Sequence, residues 1–123
     1  MGVADSELIV SLFSEGQPPF LSARRIRDVL GIEQSELATL VGITEGALTT
    51  KSRSHNDEQA LRPLAHVLAM AIETTGEKNR AAIWFKHQPI PGWAGKTAYD
   101  LVGEGKIDKV ADYLGSVQLG VYA

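Results

Sequence analysis

The chain has 123 residues, of which 44% are apolar and 22% are charged, and its net charge is −3 at pH 7. These values are ordinary for a folded globular domain and argue against wholesale disorder. The chain has no cysteine, which excludes disulfides and thiolate metal sites. We expect neither a membrane span nor a signal peptide, because no apolar run approaches the roughly 18 residues of a span and no basic segment precedes an apolar core. The expected location is therefore the cytoplasm.

The acidic excess lies in the first part of the chain. Residues 1–21 contain Asp5, Glu7 and Glu15 but neither lysine nor arginine, so the rest of the chain is neutral. Any contact with DNA must therefore come from a local basic patch and not from the overall charge. The run Gly16-Gln17-Pro18-Pro19 ends this segment, which is predicted to hold a short helix and a flexible linker.

Helical spacing of apolar residues begins at Ser22. This serine is a candidate N-cap of a first helix, and Gly31 is its candidate stop. A second helix is predicted over 34–41, with Gly42 directly after it. Glycine suits both stops because it adopts a left-handed backbone at little cost.

The spacing of Ala38, Gly42 and Leu48 resembles the Xre/repressor-like helix-turn-helix. In such a motif a small side chain sits where two helices cross, and a glycine forms the turn. A third helix, capped by Thr44 and ending at about Arg53, would then be the recognition helix in the major groove. The alternative is that a short helical bundle carries this pattern by chance.

The helix-turn-helix interpretation yields a set of candidate DNA-contacting residues, whose side chains would face phosphates or base edges. They are Thr44, Glu45, Thr49, Thr50, Lys51 and Arg53 on the third helix and Arg24 and Arg25 on the first, with Arg27 as a further phosphate contact. Two features weaken the expected grip on DNA. Gly46 lies inside the predicted recognition helix and costs roughly 1 kcal/mol relative to alanine. Lys51 stands where the motif usually has an apolar residue that faces the core.

More helices are predicted after a polar turn at 54–57. The first of them runs from near Ala60 to Thr75, because Pro63 disfavours an earlier start. The others, in chain order, are 78–87 with Ala82, Ile83 and either Phe85 or Trp84 facing inward, a short helix that Thr97 caps and that ends at 102, and 107–119. A loop is expected over 88–96. The predicted fold is all-α, a helical bundle with a helix-turn-helix-like region at 22–76 and a small helical C-terminal module at 77–123.

The most distinctive pattern of the chain lies in its last third. It consists of Ala82, Trp84, Pro89, Gly95-Lys96-Thr97, Asp100-Leu101-Val102, Gly105, Val110, Leu114 and Gly120-Val121-Tyr122-Ala123. In order and spacing these residues resemble the C-terminal toxin-binding domain of the Xre/MbcA/ParS-type antitoxins. Ala98 departs from the family, which usually has proline after the threonine, but the Thr97 cap is retained.

The resemblance implies a type II toxin–antitoxin role. The implied partner is a RES-domain toxin that consumes or transfers from NAD, and the C-terminal end of the antitoxin blocks its active-site cleft. Operator DNA binding and a homodimer within a larger toxin–antitoxin complex are implied as well. The candidate toxin contacts are Trp93, Lys96, Asp112, Gly120, Val121, Tyr122 and Ala123. The alternative for the final four residues is that they pack as the end of the last helix.

Other classes of function compete with this interpretation. A stand-alone helix-turn-helix regulator that dimerises through its C-terminal helices is the main alternative. We do not expect an enzyme, a cofactor or a metal. His55, His66 and His87 lack metal-ligand spacing. Gly95-Lys96-Thr97 lacks the upstream glycine of a phosphate-binding loop.

Overall fold

The architecture is a bundle of α-helices with one short hairpin at its edge. The computed structural model describes residues 12–15 and 20–120. The helices within this part are α1 (Ala23–Leu30), α2 (Gln34–Val41), α3 (His55–Thr75), α4 (Lys78–His87), α5 (Ala98–Gly103) and α6 (Ile107–Gln118). The predicted all-α class is confirmed. The helix and flexible linker predicted for 1–21 lie mostly outside the described residues.

The sequence did not suggest the hairpin. Strand β1 (Ser14–Glu15) pairs in antiparallel fashion with β2 (Phe20–Leu21), with Ser14 opposite Leu21. The neighbouring Phe13 is fully buried, as is Leu21, and the N–H of Ser22 donates a 2.6 Å hydrogen bond to the carbonyl of Phe13. Burial of these two apolar side chains fixes the hairpin against the helices.

Helices α1 and α2 begin and end where local signals place them. Ser22 caps α1, because its Oγ accepts a hydrogen bond of 3.2 Å from the N–H of Arg25. Gly31 and Gly42 follow the two helices with φ of 67° and 78°, in the left-handed region. The predicted bounds of both helices are confirmed.

The predicted recognition helix from Thr44 to Arg53 is wrong. This segment contains only a 3₁₀ turn, Gly46–Leu48, after which Thr49 has an extended backbone with φ −83° and ψ 142°. The hydroxyl of Thr44 accepts a 3.2 Å hydrogen bond from the N–H of Ala47, and the Thr49 hydroxyl donates one of 2.8 Å to the carbonyl of Gly46. Such local side-chain bonds compete with helix formation, and the glycine adds its own helix penalty.

Helix α3 begins at His55 and not near Ala60, so that predicted start is wrong. Ser54 and Asp57 form a capping box in which each backbone N–H donates to the other residue's side chain over 3.1 Å. A cap of this kind contributes about 1 kcal/mol. Pro63 is tolerated inside the helix because its ring lies on the exposed face and displaces no core side chain.

The predicted C-terminal helices are confirmed to within one or two residues at each end. The loop between α4 and α5 closes where Pro89 pairs with Thr97, and the N–H of Ile90 donates a 2.8 Å hydrogen bond to the carbonyl of Lys96. One inward prediction is wrong: Ile83 is 61% exposed. On an α-helix it lies about 200° from Phe85, which faces the core, since successive residues are about 100° apart.

Helix α3 is the centre of the fold. It packs against α4 and α6 and places Leu61, Leu64 and Leu68 in the core. Ile107 lies near Pro63, and Gln118 lies near the last turns of α3, so α6 runs beside the second half of α3 in the same direction. The buried core therefore joins residues from both the 22–76 and the 77–123 regions. No helix in the described residues is both long and apolar enough to cross a membrane.

Candidate functional site

The predicted toxin contacts fall into two groups at opposite ends of α6. Trp93 and Lys96 lie in the loop beside the start of this helix, and Gly120 lies just beyond its end. The helix has 12 residues, which at 1.5 Å per residue separates the groups by about 18 Å. Asp112 is exposed between them. The remaining predicted contacts, 121–123, lie outside the described residues.

The first group surrounds the ring of Trp93. The Nζ atom of Lys106 lies 5.5 Å from the centroid of this half-buried ring, within the range of a cation–π contact. Glu104 bridges two lysines, with its carboxylate 2.8 Å from Nζ of Lys96 and 3.3 Å from Nζ of Lys106. The hydrogen bond from Lys96 holds the pKa of Glu104 below its usual value. This cluster therefore presents the indole ring of Trp93 together with a net charge of +1, which comes from two lysines and one glutamate.

The loop that carries Trp93 is held by backbone geometry and by a helix cap. Gly92 and Gly95 have φ of 87° and 83°, which most side chains would oppose. The Thr97 hydroxyl accepts from the N–H of Asp100 over 3.2 Å, and the Asp100 carboxylate accepts from the N–H of Thr97 over 3.0 Å. The predicted Thr97 cap is confirmed, and it fixes the loop to the start of α5.

The second group lies where the chain leaves α6. The Nε2 atom of Gln118 is 3.1 Å from the Thr74 hydroxyl and 3.2 Å from the Glu73 carboxylate. The next residue, Leu119, is 79% exposed. Gly120 follows in the left-handed conformation with φ 82°. The last described residues thus project from a helix end that is fixed to α3.

Sequence analysis did not select Gln118 or Leu119. The contact of Gln118 spans 44 residues of chain, and no local pattern encodes such a distance. Leu119 could have been found, because it falls outside the apolar stripe of Val110, Leu114 and Val117 on α6. An apolar side chain off the buried stripe of an amphipathic helix is predicted to be exposed.

Several predicted DNA contacts come together in a groove of about 370 Å³ between α1 and the 49–53 segment. Its lining includes Arg24, Arg27, Gln34, Thr49, Thr50 and Arg53. Arg25 points elsewhere and donates a 3.2 Å hydrogen bond to the carbonyl of Ser14. Thr44, Glu45 and Lys51 are exposed but do not line the groove.

Arg53 has a structural role in the fold. Its side chain is 4% exposed and forms a 2.8 Å ion pair with Glu58. The guanidinium also donates hydrogen bonds to the carbonyls of Leu21, Ala47 and Leu48. In a helix those of Ala47 and Leu48 would accept from the backbone, so this network replaces helical bonding in the segment. Its burial disfavours the predicted contact of Arg53 with DNA.

Comparison with known families identifies the C-terminal region. Residues 70–120 match the antitoxin Xre/MbcA/ParS C-terminal toxin-binding domain. The match runs from the end of α3 through α6 and includes every described residue of both groups. This region therefore has the toxin-binding domain of an antitoxin. The domain is of the Xre/MbcA/ParS type, which confirms the resemblance that the last third of the sequence indicated.

Other comparisons and searches add little to this assignment. No curated protein matches the chain. Within the described residues, no cluster of three or more histidine, aspartate and glutamate side chains is arranged to hold a metal ion. The match to a toxin-binding domain favours an antitoxin over the stand-alone regulator.

Proposed function

We propose that this chain neutralises a RES-domain, NAD-consuming toxin by stoichiometric occlusion of the toxin's active-site cleft. The observation that carries the proposal is the match of 70–120 to a toxin-binding domain. The resemblance of the last third of the chain to the Xre/MbcA/ParS family supports a RES-domain toxin as the partner. Inhibition by occlusion requires no catalytic group on this chain.

The end of α6 provides the occluding element in this proposal. Leu119 is exposed, and Gly120 has a left-handed backbone just beyond the end of the helix. The residues that follow, 121–123, include Tyr122, an amphipathic side chain of the kind that dominates binding energy at protein interfaces. Trp93, Lys96 and Lys106 supply a second contact at the other end of α6, so that one toxin surface of ordinary size covers both.

Deletion of residues 120–123 tests the occlusion mode. The truncated chain is expected to lose neutralisation of the RES toxin in a growth-rescue assay, because the plug is removed. Its thermal unfolding midpoint should stay close to that of the full chain, since Gly120 is exposed. Gln59→Ala, at an exposed position on α3, serves as a control that leaves the toxin-binding region intact. Full rescue by the truncated chain would contradict the proposal.

Operator DNA binding is a second proposal, supported by the groove between α1 and the 49–53 segment. Arg24, Arg27, Thr49 and Thr50 line this groove and offer the cationic and hydroxyl groups that bind phosphate. Arg24→Ala should weaken binding to promoter DNA and reduce the salt dependence of binding by about one phosphate contact. Arg25→Ala is the matched control, because its side chain lies outside the groove. Equal mobility shifts for both variants would contradict the groove as the DNA site.

We also propose a homodimer within a larger toxin–antitoxin complex. The family resemblance supports this assembly, and the exposed Ile83 on α4 is an apolar side chain available to an interface. Light scattering on the purified chain should give about twice the monomer mass, and a monomer at micromolar concentration would contradict the dimer.

A further inference from the structure

We infer that Gln118 is a positioning residue for toxin binding: it fixes the direction in which Leu119 and Gly120 leave α6. The inference rests on the proposed function, in which these residues enter the toxin. Gln118 itself faces α3 and not the proposed partner. Its role would therefore be exerted through the chain that follows it.

The geometry of Gln118 makes it a clamp between two helix ends. Its Nε2 atom lies 3.1 Å from the Thr74 hydroxyl, 3.2 Å from the Glu73 carboxylate and 3.4 Å from the carbonyl of Met70. An amide nitrogen carries two protons, so two of these acceptors can be bound at once. One of them is a carboxylate, which makes the corresponding hydrogen bond a stronger, charge-assisted one.

Gln118 makes the last long-range hydrogen bonds along the described chain. Beyond it, the N–H of Leu119 donates to the carbonyl of Gly115 over 3.1 Å, and that of Gly120 donates to Val117 over 3.0 Å. Both are bonds within the terminal turn of α6. Terminal turns fray readily when tertiary contacts do not hold them. Without the clamp, the end of α6 would lose the contact that fixes it to α3.

Fixing the end of α6 matters because Leu119 and Gly120, which the proposed function places against the toxin, are exposed. A segment that is held near its bound orientation loses less conformational entropy on association. Because Leu119 and Gly120 follow Gln118 directly, any change of the backbone at Gln118 moves both residues. The clamp therefore affects how tightly the exposed end of α6 binds the toxin.

A double-mutant cycle separates positioning from general stabilisation. The affinity of a RES-domain toxin, the proposed partner, is measured for four forms: the full chain, Gln118→Ala, the chain lacking 120–123, and the combination of both changes. We expect Gln118→Ala to weaken binding about tenfold in the full chain. In the truncated chain the same substitution should have a clearly smaller effect, because Gly120 is gone and only Leu119 remains to be positioned.

A second pair of variants distinguishes loss of the clamp from a general loss of folding. Gln118→Glu places two carboxylates in the position where the amide and Glu73 now lie, so it should weaken binding more than Gln118→Ala does. Adding Glu73→Gln restores an amide–carboxylate pair with the roles exchanged and should recover most of the affinity. Recovery would show that toxin affinity depends on the hydrogen bond between positions 118 and 73, and not on the identity of residue 118.

The possible results separate the positioning role of Gln118 from the proposed occlusion of the toxin. An equal loss from Gln118→Ala in the full and truncated chains, or no loss in the full chain, overturns the positioning role alone. A truncated chain that binds as tightly as the full chain overturns the occlusion mode, and the positioning role with it. Failure of Glu73→Gln to rescue Gln118→Glu would also contradict the clamp.

Discussion

The phenol of Tyr99 donates a 2.7 Å hydrogen bond to the Oε2 atom of Glu36, and this contact joins α5 to α2. The two residues are 63 positions apart in the chain. Gly103, at the end of α5, lies against Leu40 of the same helix α2. The toxin-binding region is thus packed directly onto the N-terminal helices and does not depend on a linker.

The Tyr99 contact predicts a specific pH dependence of stability. Burial first, and then the hydrogen bond and the negative charge of Glu36, raise the pKa of Tyr99 to about 12. Because a tyrosine in the unfolded chain has a pKa of about 10, the folded state holds this proton more tightly. The resulting stabilisation is complete below about pH 10 and is lost as the pH rises towards 12.

Titration of tyrosinate absorbance measures this shift. Glu36→Gln removes the negative charge and should lower the pKa of Tyr99 towards its ordinary value, although burial keeps it somewhat raised. Tyr99→Phe identifies which step of the titration belongs to this residue. If the Glu36→Gln and unsubstituted chains titrate alike, the coupling between α2 and α5 is wrong.

Arg53→Ala is expected to destabilise the fold by about 3 kcal/mol. The substitution removes a guanidinium that is 4% exposed and leaves the Glu58 carboxylate and three backbone carbonyls without this donor. Urea unfolding followed by circular dichroism gives the free energy of unfolding. Arg24→Ala is the control, because the Arg24–Asp28 pair is exposed and should contribute less than about 0.5 kcal/mol. Equal effects of the two substitutions would mean that Arg53 does not organise the 44–53 segment.

Pro63→Ala is expected to stabilise the chain by about 1–3 kcal/mol. The proline lies within α3 on its exposed face, so alanine restores a helical hydrogen bond without creating a cavity. The thermal unfolding midpoint should rise. Gln59→Ala, another exposed position on the same helix, should change it little. A fall in the midpoint for Pro63→Ala would indicate that the ring makes a contact that the fold requires.

Trp93→Ala is expected to weaken toxin binding at least about tenfold, as removal of a central aromatic contact does at protein interfaces. Calorimetric titration with the proposed RES-domain toxin measures the change in affinity. Ile83→Ala, which alters an exposed apolar residue on α4, is the comparison for a non-specific loss of apolar surface. If Ile83→Ala weakens binding more than Trp93→Ala does, the contact lies on α4 and not on the loop.

Local signals made most of the helices predictable. Ser22 and Thr97 cap helices through bonds to residues three positions away, and Gly31 and Gly42 end them through their own backbone conformation. Such interactions lie within one turn of the residue concerned, so a short window of sequence contains them.

The predictions that failed did so because they depend on contacts between residues far apart in the chain. The segment 44–53 has the spacing of a recognition helix, but Arg53 bonds to Leu21, 32 residues away, and to the carbonyls that a helix would use. The toxin-binding candidates show the same limit. The sequence indicated Gly120 through a family pattern and Trp93 through its place in a loop rich in proline and glycine, whereas the clamp at Gln118 depends on the packing of α6 against α3.

Inhibition of NAD turnover is the measurement for the proposed occlusion of a RES-domain toxin. The rate of NAD consumption by the proposed toxin is measured while the purified chain is added in increasing amounts. Stoichiometric occlusion should lower the rate in proportion to the added chain, down to the background rate at a fixed molar ratio. A rate that stays unchanged when the chain is in excess and bound to the toxin would contradict it.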